Sequence, residues 1–243
     1  MPRIGGKKLL RKTICEAFPL QERFNRYIEV FGGMAWVLLC KEKHADMEVY
    51  NDADGELVNL MKCVKFHLPE LMRELEGFLN SREMFTDAVS QLGSKGLTDI
   101  QKAARYFIKM RLSFGTDGRT FACNNRNIQS TVEKMQAVRE RLSRVVIERK
   151  DFDDLIKVYD RKDALFYCDP PYYKTEGYYD VPFGKADHIR LKDRLSGIKG
   201  LFLLSYNDDE FIRELYRDFN IRSVERANNL GKGRYREVII TNY

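Results

Sequence analysis

The chain has 243 residues, of which 44% are hydrophobic, and carries a formal net charge of +6. This length suits one large domain, or one domain with a smaller insert, and buries enough apolar surface to fold without disulfides or structural metals. It lacks an apolar run of about 18 residues, and its basic N-terminus lacks an apolar segment, so we expect neither a membrane span nor a secretory signal.

The first half of the chain changes from strand-like to helical patterning. We predict a strand over Tyr27–Phe31 that ends in a Gly-Gly turn, a helix over Ala35–Lys43 and a second strand over Met47–Tyr50. From Glu56 to about Arg111 the hydrophobic periodicity is helical. No low-complexity linker separates these parts, so we expect a second domain to be inserted rather than tethered.

A hairpin and a further helix follow this helical stretch. Leu112–Phe121 resembles a β-hairpin, because Asp117-Gly118 suits a tight turn between two arms. Ser130-Thr131-Val132-Glu133 has the capping-box pattern and predicts the start of a helix with apolar residues, including Met135 and Leu142, on one face.

The last part of the chain returns to alternating strands and helices. The predicted strands are Val145–Ile147, Leu165–Cys168, Leu201–Ser205, Ile221–Arg226 and Val238–Thr241. Short apolar runs separated by helical segments indicate an α/β fold with a mostly parallel, twisted sheet and helices on both faces. In such sheets, ligands bind beyond the carboxyl ends of the strands.

Positive charge is concentrated in two segments. Residues 1–12 carry five basic and no acidic residues, and residues 102–149 carry eleven Lys or Arg against four Asp or Glu. The rest of the chain is therefore net acidic. A localised positive field is the footprint expected of a phosphate-backbone partner, although a solvated helix face explains the charge alone equally well.

The cysteines and histidines show no metal-ligand spacing. The cysteines are odd in number and scattered, and none forms a Cys-x-x-Cys pair, which is typical of reduced thiols in a cytoplasmic protein and argues against zinc. We therefore expect a cytoplasmic protein without a metal site. The residues concerned are Cys15, Cys40, Cys63, Cys123, Cys168, His44, His67 and His188.

The most informative segment is Asp169-Pro170-Pro171-Tyr172, directly behind the predicted strand Leu165–Cys168. The prolines fix φ and remove N–H donors, so the loop presents carbonyl oxygens on a stiff backbone. A carboxylate, carbonyl oxygens and an aromatic plane suit a flat molecule with an exocyclic amino group, such as a nucleobase extruded from its helix. A rigid surface turn around a buried Tyr is the alternative.

Three other predicted strands end in glycine or acidic residues. Gly32-Gly33 lets the backbone approach a ligand closely, although such a pair also occurs in simple tight turns. Asp52 is placed to accept hydrogen bonds from ribose hydroxyls, with Asp54 as its competitor. Asp151-Phe152 is compatible with a helix N-cap and a core Phe. Since these residues all follow strands, we expect them to share one site with Asp169–Tyr172.

The order and spacing of these motifs resemble the Dam-type family of adenine-specific DNA methyltransferases (D12 class, alpha group). The resemblance spans nearly the whole chain and matches the middle third loosely. This chain has Val30 where the family usually has proline, and it lacks one of the usual loop glycines. The motifs besides Asp169–Tyr172 are Arg3-Ile4-Gly5-Gly6-Lys7, Ile28-Glu29-Val30-Phe31-Gly32-Gly33, Asp151-Phe152, Asp187-His188, Ser205-Tyr206-Asn207-Asp208 and Glu237-Val238-Ile239-Ile240-Thr241-Asn242.

The resemblance implies a Rossmann-like methyltransferase fold. An S-adenosylmethionine-binding domain would cover residues 1–55 and 145–243, and an inserted, mainly helical target-recognition domain with a β-hairpin would cover residues 56–144. S-adenosylhomocysteine would be the product, and no metal would take part. The implied cofactor-binding residues are Lys7, Glu29, Phe31, Gly32, Gly33, Asp52, Asp151, Phe152 and Asp169.

Individual roles follow from the same resemblance. The glycine loop would hold the methionine part of the cofactor, with Glu29 near its amino group and Phe31 against it. Asp151 would accept a hydrogen bond from the cofactor adenine, beside Phe152. Lys7, which by itself is equally compatible with a solvated side chain, would lie near the cofactor and the target base.

Residues around the predicted hairpin are the candidates for reading DNA. A two-stranded ribbon fits the major groove, and Arg and Asn make the bidentate contacts that discriminate guanine and adenine. Basic residues on a solvated loop are the alternative. The hairpin does not reproduce the motif expected of GATC-specific relatives, so we assign no target sequence. The candidates are Arg111, Arg119, Asn124, Asn125 and Arg126.

The predicted function is methyl transfer from S-adenosylmethionine to N6 of a flipped adenine in double-stranded DNA. Tyr172 would stack on the base, and the Asp169 carboxylate and the Pro170 carbonyl would accept the two amino hydrogens, without a covalent intermediate. Pro171 completes the catalytic loop. Asp187-His188 and Ser205–Asp208 are expected to support this loop rather than take part in the chemistry.

Alternatives stay open on the sequence. The loop addresses any exocyclic amine, so methylation of cytosine N4 or of an RNA base is compatible with it. A catalytically inert DNA-binding module on the same scaffold is another alternative. Against it, Asp52, Asp151, Asp169 and Tyr172 are all present, whereas an inactive site is expected to have lost at least one of them. We expect a monomer in solution with double-stranded DNA as partner, and pairing with a restriction enzyme is compatible with the resemblance.

Overall fold

The computed structural model describes residues 7, 9–114, 118–123, 128–175, 181–227 and 234–243. These residues form two compact units. One, which we call the insert unit, comprises residues 54–149, and the other, the sheet unit, comprises residues 7–53 and 150–243. The insert unit is continuous in sequence and follows the second strand of the sheet.

All seven predicted strands are present. They are β1 (Arg26–Glu29), β2 (Met47–Asn51), β3 (Val146–Glu148), β4 (Ala164–Cys168), β5 (Leu201–Asn207), β6 (Asn220–Ala227) and β7 (Arg234–Thr241). The strand order is β3-β2-β1-β4-β5-β7-β6. β2, β1, β4 and β5 run parallel, whereas β7 is antiparallel to both β5 and β6. The predicted α/β fold with a mostly parallel sheet is therefore confirmed.

Ten α-helices in the described residues precede or connect these strands. They are α1 (Arg11–Glu16), α2 (Gly55–Phe66), α3 (Leu68–Glu76), α4 (Arg82–Gln91), α5 (Asp99–Leu112), α6 (Gln129–Val132), α7 (Met135–Leu142), α8 (Phe152–Tyr159), α9 (Lys185–Ser196) and α10 (Glu210–Leu215). Helices α2 to α7 belong to the insert unit, which is mainly helical. None of the described helices combines the length and the apolar character needed to cross a lipid bilayer.

Several helices begin behind a polar residue whose side chain accepts a hydrogen bond from a backbone N–H of the first turn. Asp54 caps α2, Ser81 caps α4 and Thr98 caps α5. In the sheet unit, Asp151 caps α8 and Asp209 caps α10. Such caps satisfy donors that the helix itself leaves unpaired, so local sequence sets where these helices start.

Two predicted helix starts are wrong. The segment Ala35–Lys43 contains a 3-10 turn at Leu38–Cys40 and no α-helix, and it starts at Ala35, whose φ of 55° lies outside the α-helical region. The predicted capping box at Ser130–Glu133 does not open the following helix. That helix, α7, begins at Met135 without a side-chain cap.

The described part of Leu112–Phe121 pairs as a hairpin would. Ser113 and Phe121 form an antiparallel bridge, and the Phe114 N–H donates to the Thr120 carbonyl at 2.6 Å. The predicted turn falls partly on residues 115–117, which lie outside the described residues.

The two faces of the sheet differ because side chains alternate along each strand. One face carries Ile28, Phe166, Leu204 and Val238, which form an apolar core with residues of α8, α9 and α10. The opposite face carries polar side chains, several of them fully buried. The strand registers place Tyr27, Glu29, Tyr167, Ser205 and Glu237 on this opposite face. This second face therefore combines buried polar groups with buried apolar residues such as Leu165 and Leu203.

The turn before β5 gives a test of this packing. A Cβ atom added at Gly200 would lie 2.6 Å from the carbonyl oxygen of Ala164 and 2.8 Å from that of Arg161. We expect Gly200→Ala to lower the free energy of unfolding by about 1–3 kcal/mol, because backbone atoms must shift. Gly197→Ala is the control, since its nearest atom would be 4.0 Å away. Urea unfolding of both variants checks this, and equal stabilities would contradict the packing described.

Candidate active site

The loop behind β4 is anchored at several backbone atoms. The Tyr172 carbonyl accepts hydrogen bonds from the N–H and the hydroxyl of Thr175, both at 2.9 Å. The Asn207 side chain donates to the Tyr173 carbonyl at 3.1 Å. Because Pro170 and Pro171 also fix their own φ angles, the loop has little freedom to rearrange. The loop is therefore rigid and Tyr172 is buried, as both a base-binding loop and a rigid turn around a buried Tyr require.

Asp169 lies in a buried ion pair at the carboxyl end of β4. Its Oδ1 atom is 2.6 Å from Lys7 Nζ, and the Ser205 hydroxyl donates to the same oxygen at 3.0 Å. The side chains of Lys7 and Asp169 are 5% and 18% exposed. Burial raises the pKa of Asp169, and Lys7 opposes this rise by favouring the ionised carboxylate. Lys7 is thus part of the site rather than solvated.

Tyr172 presents its ring to the same ammonium group. Lys7 Nζ lies 4.5 Å from the centre of the Tyr172 ring, a cation–π distance. The Tyr172 hydroxyl donates to Glu237 Oε2 at 2.5 Å. Burial and the nearby carboxylates of Glu237 and Asp169 raise the pKa of Tyr172 well above its usual value, so the phenol stays protonated.

Further buried hydroxyl groups connect the polar face of the sheet. The Tyr27 hydroxyl donates to Glu29 Oε2 at 2.7 Å, and Tyr167 Oη lies 3.3 Å from Ser205 Oγ. Ser205 in turn bonds Asp169. The acidic side chains of this face are thus held in place by hydroxyl donors, as buried carboxylates require.

The loop after β1 brings backbone close to the end of β2. A Cβ atom at Gly32 would lie 2.2 Å from the Tyr50 ring and 2.9 Å from the Asn51 carbonyl, so only glycine fits. Gly33 has a φ of 50° and donates its N–H to Asp52 Oδ2 at 2.8 Å. The two glycines therefore form a cradle whose backbone is fixed by the second strand.

Asp52 and Asp54 have different environments. Asp54 is buried, accepts hydrogen bonds from the N–H groups of Glu56 and Leu57, and also accepts one from the Tyr106 hydroxyl at 2.8 Å. These contacts lie within the insert unit and give Asp54 a structural role. Asp52 is half-buried and borders the Gly33 turn.

Asp151 and Phe152 lie beside a basic side chain that the sequence did not point to. Arg190 forms two hydrogen bonds with the Asp151 carboxylate, at 2.8 and 3.1 Å, and its guanidinium lies 4.2 Å from the Phe152 ring centre. The rings of Phe31, Phe152 and Phe183 have centroid distances of 5.6–5.9 Å. An aromatic cluster with an acidic edge suits an adenine ring.

The two supporting motifs bond to the frame of the site. His188 is fully buried, and its Nδ1 atom lies 2.6 Å from the Tyr206 hydroxyl. Asp187 accepts from the Gly184 N–H at the start of α9, and Asp208 forms an ion pair with Arg213. These contacts fix the start of α9 and the ends of β5 and α10.

The candidate DNA-reading residues are only partly described. Arg111 is half-buried at the end of α5, and Arg119 is exposed. Phe114, between them in sequence, is 67% exposed, and no sequence pattern singled it out. The other three candidates, Asn124, Asn125 and Arg126, lie outside the described residues.

Three residues at the site were missed as functional candidates. The sequence pattern assigns Ser205 only a supporting role, places Glu237 in a motif without a role of its own, and does not mark Arg190. Glu237 carried a local signal, since it is an acidic residue at the start of the apolar run Val238–Ile240. An acidic residue in a buried strand needs a partner.

Comparisons with known proteins point in the same direction as this geometry. The chain matches the family described as D12 class N6 adenine-specific DNA methyltransferase over residues 4–230. The type II methyltransferase M1.LlaDCHI of Lactococcus lactis subsp. cremoris is 28% identical over 272 residues, covering 98% of this chain and 93% of that protein. The DNA adenine methylase of Haemophilus influenzae is 23% identical over 250 residues, covering 94% and 86%.

The comparison with solved structures contributes less to the family assignment than the sequence comparisons do. The rRNA methyltransferase aviRa from Streptomyces viridochromogenes aligns with 100% of this chain and 86% of its own, at a TM-score of 0.43 and 14% identity. The family match, by contrast, spans nearly the whole chain and names adenine N6 in DNA, so a cytosine or RNA base is not supported as the target. The chain therefore belongs to the D12 class of N6 adenine-specific DNA methyltransferases, and its reaction is the methylation of adenine N6 in DNA.

Proposed function

We propose that Asp169, Pro170, Pro171 and Tyr172 hold the target adenine during methyl transfer. One observation carries this proposal: the ammonium nitrogen of Lys7 lies 2.6 Å from Asp169 Oδ1 and 4.5 Å from the Tyr172 ring centre. A nitrogen with N–H donors in front of the carboxylate and over the ring has the contacts that an exocyclic amino group would make.

The target base must leave the duplex to reach this place. N6 of a paired adenine is hidden in the stack, so the base is flipped at a cost of about a few kcal/mol. Lys7 then gives up its position at Asp169 to the incoming amino group. Stacking on Tyr172 and the hydrogen bond to Asp169 offset part of the cost of flipping.

The chain's own groups promote the transfer by positioning and charge. Asp169 and the Pro170 carbonyl accept the two amino hydrogens and direct the nitrogen lone pair toward the methyl group. Positive charge develops on N6 as the new N–C bond forms, and the Asp169 carboxylate stabilises it. The raised pKa of Asp169 favours this carboxylate as acceptor of the proton that N6 then loses.

The residues near the glycine cradle fit S-adenosylmethionine, which supplies the methyl group when bound. The backbone at Gly33 admits close approach, because none of the described atoms lies within 4 Å of the place where a Cβ would stand. Asp151 Oδ1 accepts from Asp153 and Arg190, and Oδ2 accepts from Arg190, which leaves a lone pair of Oδ2 for an adenine amino group. The proposed binding residues are Lys7, Glu29, Phe31, Gly32, Gly33, Asp52, Asp151, Phe152 and Asp169.

We propose that residues 56–144 form the target-recognition domain and that residues 1–55 and 145–243 form the catalytic domain. Arg111, Arg119 and residues 124–126 would contact double-stranded DNA. Phe114 would stack on DNA bases, because an exposed aromatic ring between basic residues suits insertion into a duplex. The enzyme would act as a monomer, and a restriction enzyme is a compatible functional partner.

Substitution of Asp169 tests the proposed site. We expect Asp169→Ala to lower the rate of methyl transfer to unmethylated plasmid DNA by about 100- to 1,000-fold or more. Asp154→Asn is the control, because Asp154 is 70% exposed on α8. Full activity of Asp169→Ala would contradict the proposal.

A pair of variants distinguishes the two candidate ribose-binding residues. Asp52→Ala is expected to weaken cofactor binding about 10- to 100-fold, since hydrogen bonds to a charged group contribute about 1.5–3 kcal/mol. Asp54→Ala is expected to lower the free energy of unfolding by about 0.5–2 kcal/mol through loss of the α2 cap. Calorimetric titration and urea unfolding measure the two effects, and the reverse pattern would assign the ribose to Asp54.

The exposed ring of Phe114 gives a separate test of DNA binding. We expect Phe114→Ala to reduce the increase in fluorescence of 2-aminopurine placed at the target base, because a ring inserted in the stack helps to hold a flipped base out. Leu79→Ala is the matched control, since Leu79 is 69% exposed in the same unit. Equal fluorescence for the two variants would show that Phe114 has no such role.

A further inference from the structure

Glu237 is a buried acidic residue that the reaction described above does not use. It lies in β7 opposite Asn207 of β5, and its side chain is 1% exposed. The run that follows it in the strand is apolar, and burial of a charged group without partners is costly. A buried carboxylate such as Glu237 is therefore expected to have specific polar partners.

Glu237 contacts the two groups that define the proposed base pocket. Its Oε2 atom accepts the Tyr172 hydroxyl hydrogen at 2.5 Å and lies 3.8 Å from Lys7 Nζ. The first contact holds the far end of the Tyr172 ring and so fixes the direction of its long axis. The second places a negative charge within a few ångströms of the position that we assign to the target nitrogen.

We propose that Glu237 is a positioning residue for methyl transfer: it orients the Tyr172 ring and supplies a second buried negative charge beside the target nitrogen. This inference rests on the proposed function of the Asp169–Tyr172 loop. While Lys7 is in place, its ammonium lies near both Asp169 and Glu237. When a neutral base replaces Lys7, the two carboxylates face an amino group that is about to become positive.

The charge balance of the step explains why a second carboxylate helps. The bond between sulfur and the methyl carbon breaks, the bond between N6 and that carbon forms, and the positive charge passes from sulfur to nitrogen. N6 then loses a proton to Asp169, which passes it to water. A carboxylate near N6 stabilises the charge where it arrives, more strongly than in water because the site is buried.

Glu237 also acts on Asp169 through space. Burial raises the pKa of Asp169, Lys7 lowers it and Glu237 raises it further. Among the described residues, the Ser205 hydroxyl donates to the Asp169 carboxylate. Burial and, after it, the charge of Asp169 raise the pKa values of Tyr167, Tyr172 and Cys168. Removal of the Glu237 charge therefore lowers the pKa of Asp169 and leaves it ionised to lower pH.

Two substitutions distinguish the effect of Glu237 on the orientation of the Tyr172 ring from the effect of its negative charge. Glu237→Gln keeps an acceptor oxygen for Tyr172 but removes the charge, whereas Tyr172→Phe keeps ring and charge but removes the hydrogen bond. The measurement is the single-turnover rate of methyl transfer to unmethylated plasmid DNA as a function of pH. Glu225→Gln in β6 is the control, because Glu225 is 40% exposed and pairs with Arg236.

We expect Glu237→Gln to lower the rate about 10- to 100-fold near neutral pH and to move its acid limb to lower pH. Tyr172→Phe should lower the rate without moving the limb, and Glu225→Gln should change neither. If Glu237→Gln is unstable, Glu237→Asp replaces it. The shorter side chain keeps the charge but reaches the Tyr172 hydroxyl poorly. The rate should therefore fall, while the acid limb of the pH–rate profile should stay at the same pH.

Two results would overturn the inference. One is a Glu237→Gln rate equal to that of Glu225→Gln, and the other is a slower rate with an unmoved acid limb. Asp169→Ala measured alongside separates this inference from the proposed function. An active Asp169→Ala enzyme contradicts the proposed function itself, whereas an inactive one together with an unaffected Glu237→Gln enzyme contradicts only the role of Glu237.

Discussion

The buried ion pair between Lys7 and Asp169 is the interaction on which the account of the active site depends. An ammonium group and a carboxylate taken out of water each lose several kcal/mol of hydration, so they stay buried only when they pair well. Here the Ser205 hydroxyl and the Tyr172 ring add further contacts. A carboxylate and a ring that hold a charged N–H donor in this way are suited to hold the amino group of a flipped base.

The alternation of side chains in the sheet makes this pocket possible. One face of the central strands packs on α8, α9 and α10 and supplies the apolar core. The other face is thereby free to carry buried polar groups whose partners come from neighbouring strands. The antiparallel β7 lies next to β5, so Glu237, from the end of the chain, reaches Tyr172. Tyr172 itself packs against the apolar core while its hydroxyl reaches Glu237 on the other face.

Local patterns in the sequence predicted the strands and the loops at their ends well. Asp169–Tyr172 and Gly32-Gly33 carry their signal in consecutive residues, because proline and glycine restrict or free the backbone where they stand. The wrongly predicted helix over Ala35–Lys43 shows the limit of this reasoning. Its apolar residues Ala35, Val37 and Leu38 are buried, but the segment is not an α-helix. In this segment the spacing of apolar residues predicts which side chains are buried but not the backbone conformation.

Contacts between distant segments could not be predicted in the same way. Lys7 and Glu237 stand at opposite ends of the chain and meet at Asp169 and Tyr172 only because the sheet brings them together. Arg190 reaches Asp151 from a different helix, and no motif marked it. The contact between Asp54 and Tyr106, which are distant in sequence, is a further example. Such assignments depend on topology rather than on local spacing.

The most direct test of the central claim is a crystal structure of the enzyme with duplex DNA and an unreactive cofactor analogue. The account predicts that the target adenine lies outside the duplex, with N6 within hydrogen-bonding distance of Asp169 and its ring against Tyr172, and that Lys7 has moved away from Asp169. An adenine bound elsewhere in the sheet unit, with the Lys7–Asp169 pair intact, would contradict it.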